Sequence, residues 1–129
     1  MPVKPRDLFE SAKLVHAQQS NEAGYRAAIS RAYYAAFHAA REFHKSLPLP
    51  GRVGNASGTH EQLIAQLISP GIPNDHPKYY DSQSVGYILR DVHKLRVTSD
   101  YNLADGVEAG DAEEAILTSE KILKSCKSY

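Results

Sequence analysis

The stretch AISRAYYAAFHAAR, residues 28–41, leaves this chain few choices. Alanine occupies positions 28, 32, 35, 36, 39 and 40, and alanine is the strongest helix former because ordering it costs no side-chain entropy. With no glycine or proline inside, the segment is a helix whose small side chains let neighbouring helices come close. At about 100° per residue, Tyr25, Ile29, Ala32, Ala36, Ala39 and Phe43 form the centre of one stripe, widened by Tyr33, Phe37 and Ala40. Arg31, Tyr34, His38 and Lys45 fall on the other side. Arg31 and His38 are separated by about 20° around the axis and about 10.5 Å along it, so they share a face. That face is expected to be the solvated side of an amphipathic helix, or else a surface for a second copy or for chemistry.

The flanking sequence predicts more helices and no strands. PRDLFESAKLVHAQ places Pro5 in a first helical turn and spaces Leu8, Phe9, Ala12 and Val15 along one face. The alanine-rich helix is expected to start after Ser20 or Asn21 and to run to about Lys45, before Pro48 and Pro50. A loop, PLPGRVGNASG, leads to Thr59 and Gln62, a capping-box spacing that opens the short helix HEQLIAQLI. After the proline-rich SPGIPNDHPKYYD, Val85, Ile88, Leu89, Val92 and Leu95 mark a fourth helix, capped by Asp81 or Ser82 and reaching about Tyr101. The last helix is expected to open with Asp111 and Glu114, after a turn at Asp105-Gly106. The whole reads as one domain, residues 1–129, all-α, an antiparallel four- to five-helix bundle.

The fourth helix carries an anomaly. Its apolar stripe passes over Arg96, with His93 and Asp100 slightly to one side. An inward guanidinium needs acceptors, and Asp100 one turn later supplies a carboxylate. The functional reading of the same residues is that His93, Arg96, Asp100 and Tyr101 gather at one end of the bundle, where a groove could hold a phosphate or a partner.

Other chemistry is not suggested. Lysine plus arginine and aspartate plus glutamate each total 15, so no overall field points to a nucleic acid or a membrane, and a basic site would have to be local. Cys126 has no partner for a disulfide, and no segment resembles a signal peptide or a membrane span, so a cytoplasmic protein is expected. HEQLI begins like a zinc-protease helix but has Ile64 where the second histidine belongs. GRVGNASG lacks the lysine and hydroxyl of a phosphate-binding loop, and Ser30 and Ser119 belong to no readable triad. No metal or cofactor is expected.

AISRAYYAAFHAAR followed by LRVTSDY at residues 95–101 resembles the small bacterial and archaeal HEPN domains, in a match running from about Pro5 to Lys124. The resemblance implies a helical bundle that forms a homodimer, in many cases encoded beside a nucleotidyltransferase as a toxin-antitoxin pair, in others binding nucleotides or serving in defence. Ribonucleolytic members carry an arginine followed by a histidine at the dimer cleft. The literal match here is Arg31 with His38, but Ala32 stands where a polar residue is usual, and the pair is on the second helix rather than a late one. On the later helix Arg96 is present, with Asp100-Tyr101 in place of the histidine. The implied roles are His38 as general acid-base and Arg31 as phosphate stabiliser in metal-independent RNA cleavage, with Tyr34, His93, Arg96, Asp100 and Tyr101 as substrate contacts. The alternative is a non-catalytic dimeric accessory module in which Arg96 and Asp100 lock the bundle and the Tyr34 face meets a partner.

Overall fold

A computed structural model describes residues 3–127. Among them are α1 (Pro5–Gln18), α2 (Glu22–Lys45), α3 (Thr59–Ile68), α4 (Tyr79–Tyr101) and α5 (Ala109–Ser125), and no strand. Every other helix packs on α2. Arg26, early in α2, reaches the carbonyls of Thr98 and Ser99 late in α4, while Tyr33 further along meets His93 earlier in α4, so the two run antiparallel. Glu22 meets Val107 just ahead of α5, and Phe43 shares a crevice with Cys126 just after it, so α2 and α5 run parallel. His16 pairs with Glu113, and Phe9 shares a crevice with Leu123, which sets α1 antiparallel to α5. The four long helices therefore alternate in direction, and α2 and α5 touch across the bundle.

The alanines explain that contact. Positions 28, 32, 35, 36, 39 and 40 are all at 0% exposure, as are Ala112 and Ala115 on α5, so backbones meet where larger side chains would hold them apart. Burying the rings of Tyr33, Phe37 and Phe43 on the same helix supplies apolar area, at about 25 cal/mol per Å². Because α2 is surrounded, its second face is only partly solvated. Arg31 and Lys45 are exposed as expected, but Tyr34 and His38 are half-buried.

Helix ends follow backbone geometry more than residue type. Asn21 caps α2 as expected, its side chain accepting from the Gly24 N–H at 2.8 Å. The Thr59–Gln62 capping box does not form: Gly58, at φ +87°, is the N-cap of α3, and the Gln62 amide donates to the Ala56 carbonyl at 3.4 Å. Neither Asp81 nor Ser82 caps α4, which starts earlier, after Lys78; the buried Ser82 hydroxyl donates instead to the Leu67 carbonyl at 2.8 Å. In α5 the box is Glu108 with Asp111, not Asp111 with Glu114.

The loop before α3 is held down. The Gly51 N–H donates to His44 Nε2 at 3.0 Å, the Arg52 N–H to the Ser69 carbonyl at 3.0 Å and the Gln66 amide to the Gly51 carbonyl at 3.3 Å. A β-carbon at position 51 would lie 1.8 Å from the Gln66 oxygen, so the close approach requires glycine. Among the described residues no helix is long and apolar enough to cross a membrane.

Candidate functional site

Arg96 organises the side of the bundle where α2 and α4 meet. Its Nε donates to Asp100 Oδ2 at 2.9 Å, and its Nη2 to the hydroxyls of Tyr34 at 2.9 Å and Tyr101 at 3.2 Å. The rings of Tyr33, Tyr34 and Tyr101 surround the guanidinium carbon, their centroids 5.6, 5.3 and 5.1 Å away. Burial alone would lower its pKa, but the oxygens of Tyr34, Tyr101 and Asp100 outweigh burial and raise it. Ser30 adds a 3.5 Å hydrogen bond to the same Asp100 oxygen. Three of the five guanidinium N–H groups are thus taken, and Arg96 is 8% exposed. The inward arginine paired with Asp100 is what the helical projection anticipates.

Beneath this cluster Arg26 fastens the end of α4. Its Nη1 donates to the Thr98 and Ser99 carbonyls at 3.2 and 2.9 Å, and its Nη2 to the Glu22 carboxylate and to the Leu103 and Asp105 carbonyls. A cation on the C-terminal carbonyls of a helix also complements the helix dipole. Glu22 accepts the Val107 N–H at 2.8 Å, and that bond, with Arg26, holds its carboxyl below the ordinary range.

On the other side of Tyr34 lies a layer of imidazoles. His60, in the first turn of α3, hydrogen-bonds through Nδ1 with the Tyr33 hydroxyl at 2.6 Å and packs 4.4 Å from the Phe37 ring. His93 lies 5.4 Å from Tyr33 and 6.0 Å from His60, the two imidazoles inclined by only 20°. His38 lies 5.4 Å from Phe37 and 6.4 Å from Tyr34, its Nδ1 3.2 Å from Arg41 Nη2. All three are held below the ordinary imidazole pKa, first by burial and then by cations: Arg41 beside His38, Arg96 beside His60 and His93.

The structure brings Tyr34, Arg96, Asp100 and Tyr101 into direct contact and sets His93 and His38 at the edge of that group. It does not join Arg31 to His38. Arg31 is exposed, makes no hydrogen bond or ion pair among the described residues, and lines a shallow depression of about 370 Å³ with Arg26, Ser30 and Asp100. His38 Nδ1 faces Arg41 instead. His60, Tyr33, Arg41 and Arg26 are members that sequence reasoning does not find. Their pairings cross between helices, and nothing in the local pattern distinguishes His60 from an ordinary first-turn residue.

A larger groove of about 650 Å³ lies between α3 and α4, with Ile64, Ile68 and Val97 along it and Arg90 and Lys94 beside it. His93 reaches its edge. Among the described residues no cluster of histidine, cysteine, aspartate or glutamate could hold a metal ion. Aromatic rings interleaved with cations along one side suit stacking and phosphate contact. Residues 7–129 match the family described as HEPN domain. No curated protein and no solved structure matches the chain.

Proposed function

The chain belongs to the HEPN domain family, and from that premise we propose that it binds single-stranded RNA along the side built by α2, the start of α3 and the end of α4. One observation carries this reading: two arginines, exposed Arg31 and half-buried Arg41, stand with the accessible rings of Tyr34, His38, His60, His93 and Tyr101 on the side built by α2, α3 and α4. Arg31 and Arg41 supply phosphate contacts, and the rings supply stacking surfaces for splayed bases. Binding ranks ahead of cleavage because Arg96 is engaged by its own bundle and Arg31 is not joined to His38.

Fluorescence anisotropy with a labelled single-stranded RNA tests the reading. Binding should weaken as salt rises, and Arg31→Ala with Arg41→Ala should weaken it about tenfold or more at low salt. Affinity unchanged in that double variant would overturn it. Cleavage is tested separately in the presence of a metal chelator: activity abolished by His38→Ala and by Arg31→Ala would establish the ribonuclease roles named above. Family membership further supports a homodimer in a prokaryotic toxin-antitoxin or defence module with a nucleotidyltransferase partner. Light scattering and co-purification with the neighbouring gene product test those two proposals. The non-catalytic accessory reading gains from the closed Arg96 network, which holds helices together without needing a ligand.

A further inference from the structure

His60, which opens the HEQLI helix, alone among the three imidazoles has a ring nitrogen tied to a fully buried group. Tyr33 is at 0% exposure, and its hydroxyl makes one side-chain hydrogen bond, 2.6 Å from His60 Nδ1. The Tyr33 hydroxyl has no other hydrogen-bond partner among the described residues, so on a neutral ring its proton is satisfied only if the phenol donates and Nδ1 accepts. The proton of His60 must then sit on Nε2. The two nitrogens point to opposite sides of the ring, so a ring whose Nδ1 is aimed at the core turns Nε2–H away from it. His60 Nε2 has no hydrogen-bond partner among the described residues and is not among their buried, unpartnered polar atoms. It is an unpartnered N–H donor that keeps some exposure to solvent.

What such a donor can hold follows from its neighbours. A metal ion needs a lone pair, and Nε2 has none while it carries the proton. Arg96 on α4 is the cation that acts on His60, and no carboxylate acts on it, Glu61 facing His93 instead, so the surroundings favour an anion. We propose that His60 contacts a phosphate oxygen through Nε2–H, and that buried Tyr33 is the positioning residue that fixes the tautomer for this contact. The inference rests on the RNA-binding reading for the source of the phosphate, but not for the tautomer. It brings a residue of α3 into a surface otherwise made by α2 and α4. Lowering of the His60 pKa by burial agrees with it, since a neutral ring keeps the phenol as donor.

Nitrogen-15 imidazole spectra of the full chain test both halves. In the wild type His60 should show a single Nε2–H tautomer at neutral pH, and in Tyr33→Phe a mixture. Adding single-stranded RNA, and in a second arm inorganic phosphate, should shift the His60 Nε2–H resonance. His60→Ala should bind RNA about tenfold more weakly, the loss expected for a hydrogen bond to a charged group. Tyr33→Phe should lose about threefold with an unchanged circular dichroism spectrum. His60→Gln carries an amide N–H in place of Nε2–H and has no tautomers, so adding Tyr33→Phe to it should cost nothing more. That non-additivity separates positioning from mere stability.

A wild-type Nδ1–H tautomer, or His60→Ala binding as tightly as wild type, would overturn the proposal. If Arg31→Ala with Arg41→Ala weakens RNA binding while His60 shows no shift, this inference fails and the RNA reading stands. A shift with inorganic phosphate but not with RNA supports the contact and overturns RNA as its source.

Discussion

Replacing Arg96 by alanine removes two hydrogen bonds to tyrosine hydroxyls, one to a carboxylate, and the guanidinium that three aromatic rings pack around. The larger penalty is what remains: Asp100, with its side chain 27% exposed, keeps a charge and loses its cation. Breaking a buried pair from one side costs about 3–5 kcal/mol, and partial hydration of Asp100 brings the expectation to the lower end, about 3 kcal/mol. Against a total stability of about 5–15 kcal/mol that is a large fraction, and it should lower Tm by roughly 10 °C. Asp100→Asn, which keeps the volume and leaves Arg96 its two tyrosines, should cost only about 1 kcal/mol. The double variant should fall short of the sum by about 1–2 kcal/mol, because once the arginine is gone the carboxylate is a liability. Arg96→Lys should recover little, since an ammonium cannot reproduce the planar fork. Urea denaturation followed by far-UV circular dichroism, at fixed protein concentration, gives each value. Arg96→Ala within about 0.5 kcal/mol of wild type, together with lost RNA binding, would refute a structural role and make the residue functional.

Acid should weaken the fold through its imidazoles. His38, His60 and His93 have folded pKa values below the unfolded value near 6.5, so the unfolded chain takes up protons first as pH falls; their contribution is complete above about pH 6.5 and is lost as pH drops through the folded values. The groups facing them are Arg41, Glu42, Arg96 and Glu61, and only the two glutamates oppose the shift, Glu42 at His38 and Glu61 at His93. A urea midpoint that rises on mild acidification would contradict this. Arg26→Met strips the cap from the Thr98 and Ser99 carbonyls and frees the α4–α5 connection, for a loss of about 2 kcal/mol in the same denaturation assay; a wild-type midpoint would show the contacts to be idle. Gly86→Ala should destabilise by about 1–3 kcal/mol despite alanine's better helix propensity, because its β-carbon would stand 2.8 Å from Ile68 Cγ1 and 2.9 Å from Leu67 Cβ. A stabilised Gly86→Ala would mean that α3 yields easily.

The bundle was readable because its signals are periodic. The stripe through Ile29, Ala36 and Phe43, the inward Arg96 and the end of α2 before Pro48 all follow from 3.6-residue spacing and from proline's missing N–H. Helix starts were read less well. Thr59 has a capping side chain, yet Gly58 takes the position because the loop enters α3 at a positive φ that glycine tolerates. The site was half readable for a similar reason. Arg96, Asp100 and Tyr101 lie within two turns of one helix, whereas Tyr34–Arg96, Tyr33–His60 and Arg26–Ser99 depend on how helices are placed against one another. Arg31 and His38 share a face by periodicity alone, and spacing does not show that Arg31 stays exposed while His38 is half-buried with its Nδ1 on Arg41.

α3 rests chiefly on α4 and only lightly on α2, and its flanking loops are pinned by a few hydrogen bonds around Gly51. A segment packed in this way is expected to open as a unit of its own. It can open while the four long helices stay packed, so its amides should exchange with deuterium at a lower free energy than those of α2, which open only when the whole bundle does. Each opening would carry His60 away from Tyr33, hydrate that hydroxyl and remove the imidazole from the side proposed to bind RNA. A molecule that grips His60 must therefore slow amide exchange throughout α3, including residues that it never touches.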